Sequence, residues 1–201
     1  MSRIRILSSI ILAAVAGGAA AVGTSPPAAD PAQSLRTLQG RYTSVAPEPW
    51  GAAYGFRDFA FDRGRWSLRF TLSLDAAGRQ PVFTFRTGGG YRVLDASTRV
   101  PGAFDAVFLE EAKRVTLHAD DPALAAAFGL DRCGLAVGVE QDISVRGCAG
   151  WKPVVQCGED HDLLALDADG GLRFGVRPAD NDLCSADKRP TALLPAVRRV
   201  D

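Results

Sequence analysis

The 201-residue sequence lacks the short signatures of a catalytic or nucleotide-binding centre. No G-x-S-x-G occurs, so the strained nucleophile turn of an α/β-hydrolase is not encoded. Gly88, Gly89 and Gly90 carry no following G-K-[S/T] and no helix to receive a phosphate, and read as a flexible bend. No C-x-x-C occurs, which leaves zinc without its usual ligand spacing. There is no internal repeat and no coiled-coil heptad. Lysine is scarce, at Lys113, Lys152 and Lys188 among 23 basic side chains, a bias of composition that carries no chemistry. Charge of one sign is missing too: 23 basic side chains face 23 acidic ones, which removes the electrostatic case for nucleic acid or an anionic membrane.

The N-terminus has the order of a secretory signal peptide over residues 1–23. Arg3 and Arg5 open it, an apolar run covers residues 6–16, and small residues including Ala19 and Ala21 form an A-x-A-like cleavage site. The run falls short of the ~20 strongly apolar residues that span a bilayer, so no stable membrane insertion is expected after cleavage. Residues 24–34, with Pro26, Pro27 and Pro31, read as an exposed linker. Residues 35–201 have the length of a single domain with its own core, and a secreted or periplasmic location follows from the leader.

Within that domain Trp66, Leu68, Phe70, Leu72 and Leu74 alternate with Ser67, Arg69, Thr71 and Ser73. Alternation places every apolar side chain on one face of a strand. Nine residues at strand rise span roughly 30 Å, the length of a barrel or sandwich wall. Further strands are predicted at residues 35–44, 58–61, 82–85, 91–94, 107–109, 115–117, 137–143, 163–166 and 172–176, punctuated by glycine and proline. This is the spacing of an antiparallel barrel or a strongly curved sheet. One short helix is predicted near residues 121–128, with an aspartate cap, Pro122 at its first position and Gly129 at its end. Such a helix fits as a plug at one end of a barrel.

The four cysteines, Cys133, Cys148, Cys157 and Cys184, all lie in the exported part, where disulfides are the default. Three pairings are possible; Cys133–Cys148 with Cys157–Cys184 closes two local loops and is the favoured one. No metal and no cofactor is expected. Asp167, Asp169 and Gly170 match the opening of a calcium loop, but a D-G hairpin turn explains them without an ion. Glu159, Asp160, His161 and Asp162 form the densest ionisable cluster; His161 between carboxylates has the makings of a base, yet adjacent residues in a strand point to opposite faces, which turns it away from Asp160 and Asp162. The aromatics are concentrated in the front half. Trp66, Phe70, Phe83, Phe85 and Tyr91 are the candidates to line a cavity.

A resemblance rests on the order of several motifs. These are Leu38-x-Gly40-x-Tyr42-x-Ser44, Arg57-x-Phe59-x-Phe61, residues 100–103 (VPGA), residues 117–124 (LHADDPAL), Cys133-Gly134-Leu135, Asp142-Ile143-Ser144, residues 162–166 (DLLAL) and Phe174-Gly175-x-Arg177-Pro178. Together they are similar to bacterial members of the adenomatosis polyposis coli down-regulated 1 family, over about residues 35–194. The resemblance implies a lipocalin-like β-fold. In animals the family comprises secreted or membrane-tethered antagonists of Wnt signalling that engage lipid. Animal members carry two such domains, where this chain has the length for one, and they have a Trp and an early Cys where this chain has Tyr42, Val45 and Ala46.

The expectation is therefore an exported, monomeric, non-catalytic protein that binds a hydrophobic small molecule or lipid. Two other classes remain open: a secreted hydrolase using the Asp160–Asp162 region, and a structural or inhibitory module whose loops bind another protein.

Overall fold

The alternation around Trp66 is the seed of the architecture. Strand β4 (Arg65–Ser73) buries Trp66 and Leu72 and turns Ser67 and Arg69 to solvent, as a period of two requires. The computed structural model describes residues 30–200, so the leader and residues 24–29 of the linker lie outside the described residues. The other strands are β1 (Gly40–Ser44), β2 (Glu48–Trp50), β3 (Ala53–Asp62), β5 (Pro81–Ala96), β6 (Phe104–Leu109), β7 (Ala112–Leu117), β8 (Glu140–Asp142), β9 (Glu159–Leu166), β10 (Leu172–Phe174) and β11 (Val197–Arg199).

Eight of these close an antiparallel barrel. Followed by their pairings, they run β1, β3, β4, β5, β6, β9, β10, β11 and back to β1. Strands adjacent in the ring follow one another in the chain, the up-and-down arrangement that leaves the ring without free edges. The remaining strands extend one end: β2 pairs β3, β7 pairs β5, and β8 pairs β7.

Strand β5 spans 16 residues because it serves two partners on one edge. Its second half pairs β6 and its first half pairs β7. Between Phe108 and Ala112 three residues oppose the two that separate Gly88 from Tyr91, which is a bulge. The bulge shifts the inward phase, from Ala106 and Phe108 before it to Val115 and Leu117 after it. Gly88–Gly90 is thus no break between strands, as its composition predicts, but the centre of one. A side chain at Gly88 would collide with the Trp66 carbonyl, and one at Gly89 with the Leu109 carbonyl.

Among the described residues two α-helices, not one, accompany the barrel. Helix α1 (Pro31–Arg36) replaces the start of the strand expected from residue 35 and takes up the end of the expected linker. Asp30 caps it, accepting from the Ala32 N–H at 3.0 Å, and Pro31 occupies its first turn. Leu35 is fully buried, and with Leu38 it packs on Tyr42, Phe61, Tyr91, Val93 and Leu164 to seal one end of the barrel. Helix α2 (Pro122–Ala127) matches expectation in position and in its Asp121 cap. It lies in the second apolar cluster, with Phe83, Val115, Leu117 and Ile143, at the extended end. Leu74, expected on the inner face, lies past the end of β4 and is exposed.

Both local disulfides are present, Cys133–Cys148 and Cys157–Cys184, and they indicate a non-reducing environment. The Asp167–Gly171 segment is a hairpin turn, with Asp167 paired to Arg173 at 2.8 Å and Asp169 paired to Arg198. Among the described residues no helix is long and apolar enough to cross a membrane.

Candidate binding cavity

Between the two apolar clusters the barrel encloses a cavity of about 440 Å³, within the usual range for small-molecule sites. Strand β4 explains why space remains there. Leu68 and Phe70, its two middle inward residues, are only half-buried, whereas Trp66 below and Leu72 above are buried. The middle pair borders the cavity, with Phe70 also against Trp50 and Phe83.

One wall is apolar and comes from adjacent strands: Trp66, Leu68, Phe70 and Leu72 from β4, Phe83 and Phe85 from β5. The floor is aromatic. Phe59 stacks on Phe174 with centroids 4.1 Å apart, Phe108 meets Trp66 edge-on at 4.8 Å, and the Trp66 indole donates to the Leu109 carbonyl at 3.0 Å. Of the five candidate lining residues, Trp66, Phe70, Phe83 and Phe85 are brought together here. Tyr91 is not: it sits beyond the floor, donating to the Leu35 carbonyl at 3.0 Å and accepting from the Leu38 N–H at 3.2 Å. Its role is to bind α1 to the barrel.

The cavity reaches the surface at the opposite end, where the exposed residues Ala149, Gly150, Pro178 and Ala179 border it. Trp50, Phe128 and Trp151 form an aromatic rim. Trp151 stacks on Phe85 at 4.6 Å, Phe128 meets Phe83 edge-on at 6.0 Å, and Trp50 leans on Phe70 at 4.9 Å. Gly55 makes the last contact possible, since a side chain there would occupy the space of the Trp50 indole. Reciprocal backbone bonds of 2.8 and 2.9 Å tie Trp151 to Cys148. The first disulfide therefore anchors the rim.

The other wall is charged, from β3, β6, β9 and the segment after β10. Arg57 on β3 grips buried Glu48, donating from Nε at 2.9 and 3.0 Å and from Nη2 at 2.7 Å, and Nη2 also donates to the Pro195 carbonyl at 2.7 Å. Glu110, at the bulge, pairs with buried Lys113 at 2.8 Å. Arg177 donates to Asp160 at 2.7 Å and also to Asn181. Among the described residues Asp162 has no cation of its own and accepts instead from the N–H groups of Leu163 at 2.7 Å and Gly175 at 2.9 Å.

Burial pushes the Asp162 carboxyl up to about 6, against the opposing pull of the Arg177 charge. Burial, helped by the Asp160 charge, likewise raises Glu110 to about 6. Burial works against the Arg177 charge, but Asp160 more than offsets it and the guanidinium stays ionised.

Asp160 and Asp162 face inward together, and His161 faces outward, as strand geometry dictates. The His161 ring lies near Arg189 (3.4 Å) and Glu159 (3.7 Å), and burial with the Arg189 charge lowers its pKa. It is thus separated from the cavity carboxylates. His118 is bonded to Thr84 at 2.9 Å. Cys157, Asp182 and Cys184 come close enough to resemble a metal site. The two sulfurs are joined in a disulfide, however, and Asp182 is taken by Lys152 at 2.7 Å and by Lys188.

Of the charged wall, Asp160 and Asp162 stand out in the sequence as an ionisable cluster, whereas Arg57, Glu110 and Arg177 went unrecognised, although a signal was present. Arg57 shares the inward register of Phe59 and Phe61, and Asp160 and Asp162 that of Leu164. A charge within an apolar register is the mark of a buried polar group. No protein-family model and no curated protein matches this chain.

Proposed function

We propose that this protein is an exported binding protein that takes an amphiphile with a long apolar body into the barrel, without chemical conversion. The observation that carries this reading is the cavity of about 440 Å³, walled by Leu68, Phe70, Phe83 and Phe85 and reaching the surface past Trp151. Partly empty aromatic walls gain dispersion and hydrophobic stabilisation when an apolar body fills them. The signal-peptide pattern and the disulfides favour action outside the cytoplasm. The likeness to the adenomatosis polyposis coli down-regulated 1 family, whose animal members engage lipid, points the same way. Asp160 and Asp162 serve the cavity as polar wall rather than as acid and base, since Asp160 is held by Arg177 and Asp162 by two backbone N–H groups.

Native mass spectrometry, solvent extraction of the purified protein and titration with a fluorescent fatty-acyl probe test the reading together. A one-to-one adduct and saturable uptake are expected. Protein that is ligand-free as purified and takes up no probe would overturn it and favour a loop-mediated protein-binding module.

A further inference from the structure

Arg57 lines the cavity with only about 4% of its surface exposed, yet its Nη1 has no hydrogen-bond partner among the described residues. An unmet donor on a buried guanidinium is costly, because its desolvation is uncompensated. The rest of the group is saturated. Glu48 occupies the Nε–Nη2 edge, Pro195 takes Nη2 a second time, and the ring of Phe174 lies 6.0 Å from the guanidinium carbon. The Nε–Nη2 edge, one of the two that grip a carboxylate through parallel bonds, is therefore already filled by a carboxylate, and the other edge has its Nη2 donor taken by Pro195. What remains is the one nitrogen Nη1, with two N–H groups, on a guanidinium whose charge is paired with Glu48.

The charge of the surrounding wall narrows the ligand further. Arg57, Arg177 and Lys113 each have a carboxylate partner in Glu48, Asp160 and Glu110. Among the described residues Asp162 is left over without one, so the wall holds an acidic surplus near neutral pH. An anionic head group would face that surplus, and a cationic one would have no acceptor to offer Nη1. An uncharged carbonyl oxygen satisfies the donor without adding charge.

Resting on the binding function proposed above, we propose that the ligand is an uncharged long-chain acyl compound, an ester or amide, whose carbonyl oxygen accepts from Arg57 Nη1. The alkyl chain lies along the β4–β5 wall, and the carbonyl turns toward the charged side.

Three probes of matched length decide this with the intact protein: methyl decanoate, decanoate and undecane, by displacement of a fluorescent acyl probe near neutral pH. Methyl decanoate is expected to bind about tenfold tighter than undecane, the effect of one hydrogen bond to a charged donor, and tighter than decanoate. Arg57→Lys keeps the charge facing Glu48 and removes Nη1, so its preference for the ester over undecane should vanish. If Arg57→Lys does not fold, the three-probe comparison on the unaltered protein decides alone. Equal binding of ester and undecane overturns the carbonyl contact but leaves the cavity reading intact. Decanoate binding tighter than the ester overturns the uncharged class. Failure of all three, with no uptake of the displaced probe, removes the binding function itself.

Discussion

Asp162 carries its charge problem alone, in an interior where the other three carboxylates of the wall each hold a cation. Its carboxyl is raised to about 6 from an ordinary 3.8, so the folded state binds the proton more tightly than the unfolded chain. Above pH 6 the ionised form costs stability; as pH falls through 6 the cost shrinks, and below the unfolded value it disappears. Asp162→Asn keeps an oxygen for the Leu163 and Gly175 N–H groups and never ionises. It is expected to be more stable than the native protein by about 3 kcal/mol near neutral pH, with the gap about halved near pH 5. Urea denaturation at several pH values checks this. His118 and His161, whose pKa values burial lowers, act in the opposite sense as pH falls, and they cancel in the difference between the two proteins. A gap that did not change with pH would mean that Asp162 is solvated through the cavity.

Among the elements, the loop that carries Trp151 to the rim is held on one side by the Cys133–Cys148 disulfide and the backbone pair between Cys148 and Trp151, and on the other by Lys113 donating to the Lys152 carbonyl and the Lys152–Asp182 pair. The bridge closes a 15-residue separation, worth about 3 kcal/mol on chain-entropy grounds. Replacing both cysteines by alanine should lower unfolding stability by about that amount and weaken acyl-probe uptake as Trp151 loosens from Phe85. The equivalent change at Cys157 and Cys184, whose separation is 27 residues, should cost about as much stability, about 3.5 kcal/mol, with less effect on uptake. Chemical denaturation and probe titration of the two variants separate the roles. The favoured pairing was legible in the sequence because short loops close at least entropic cost. The rim position of Trp151 was not, since it depends on which barrel end the loop covers.

For the molecule as a whole, ring closure decides the cavity. A barrel of eight strands has an interior just wide enough to be filled by side chains or to hold one small ligand, and here Leu68 and Phe70 stay half-buried beside space that side chains leave unfilled. Leu68→Trp places a larger ring in that space. It should reduce acyl-probe uptake at least about tenfold, while thermal stability holds or rises because the added surface is buried. Loss of stability with uptake unchanged would instead mean that the space at Leu68 is already packed and that ligands bind elsewhere.

How much was legible follows from range of interaction. The alternation over β4, the Asp121 cap of α2 and the Asp167–Gly171 turn are set by neighbours in the chain, and each was readable locally. Helix α1 was misread as strand and linker because Leu35 and Leu38 find their partners, Tyr91 and Leu164, only across the barrel. Gly88–Gly90 was misread as a break because its contacts are the Trp66 and Leu109 carbonyls on other strands. By itself the sequence determined a mainly β chain with inward and outward faces and two local clasps, since these depend on periodicity and loop length. Only the tertiary structure decided that the faces close into a ring with one sealed end. It alone set Arg57, Glu110, Asp160 and Asp162 opposite an aromatic wall, because residues far apart in the chain share one interior only once the last strand, β11, pairs the first.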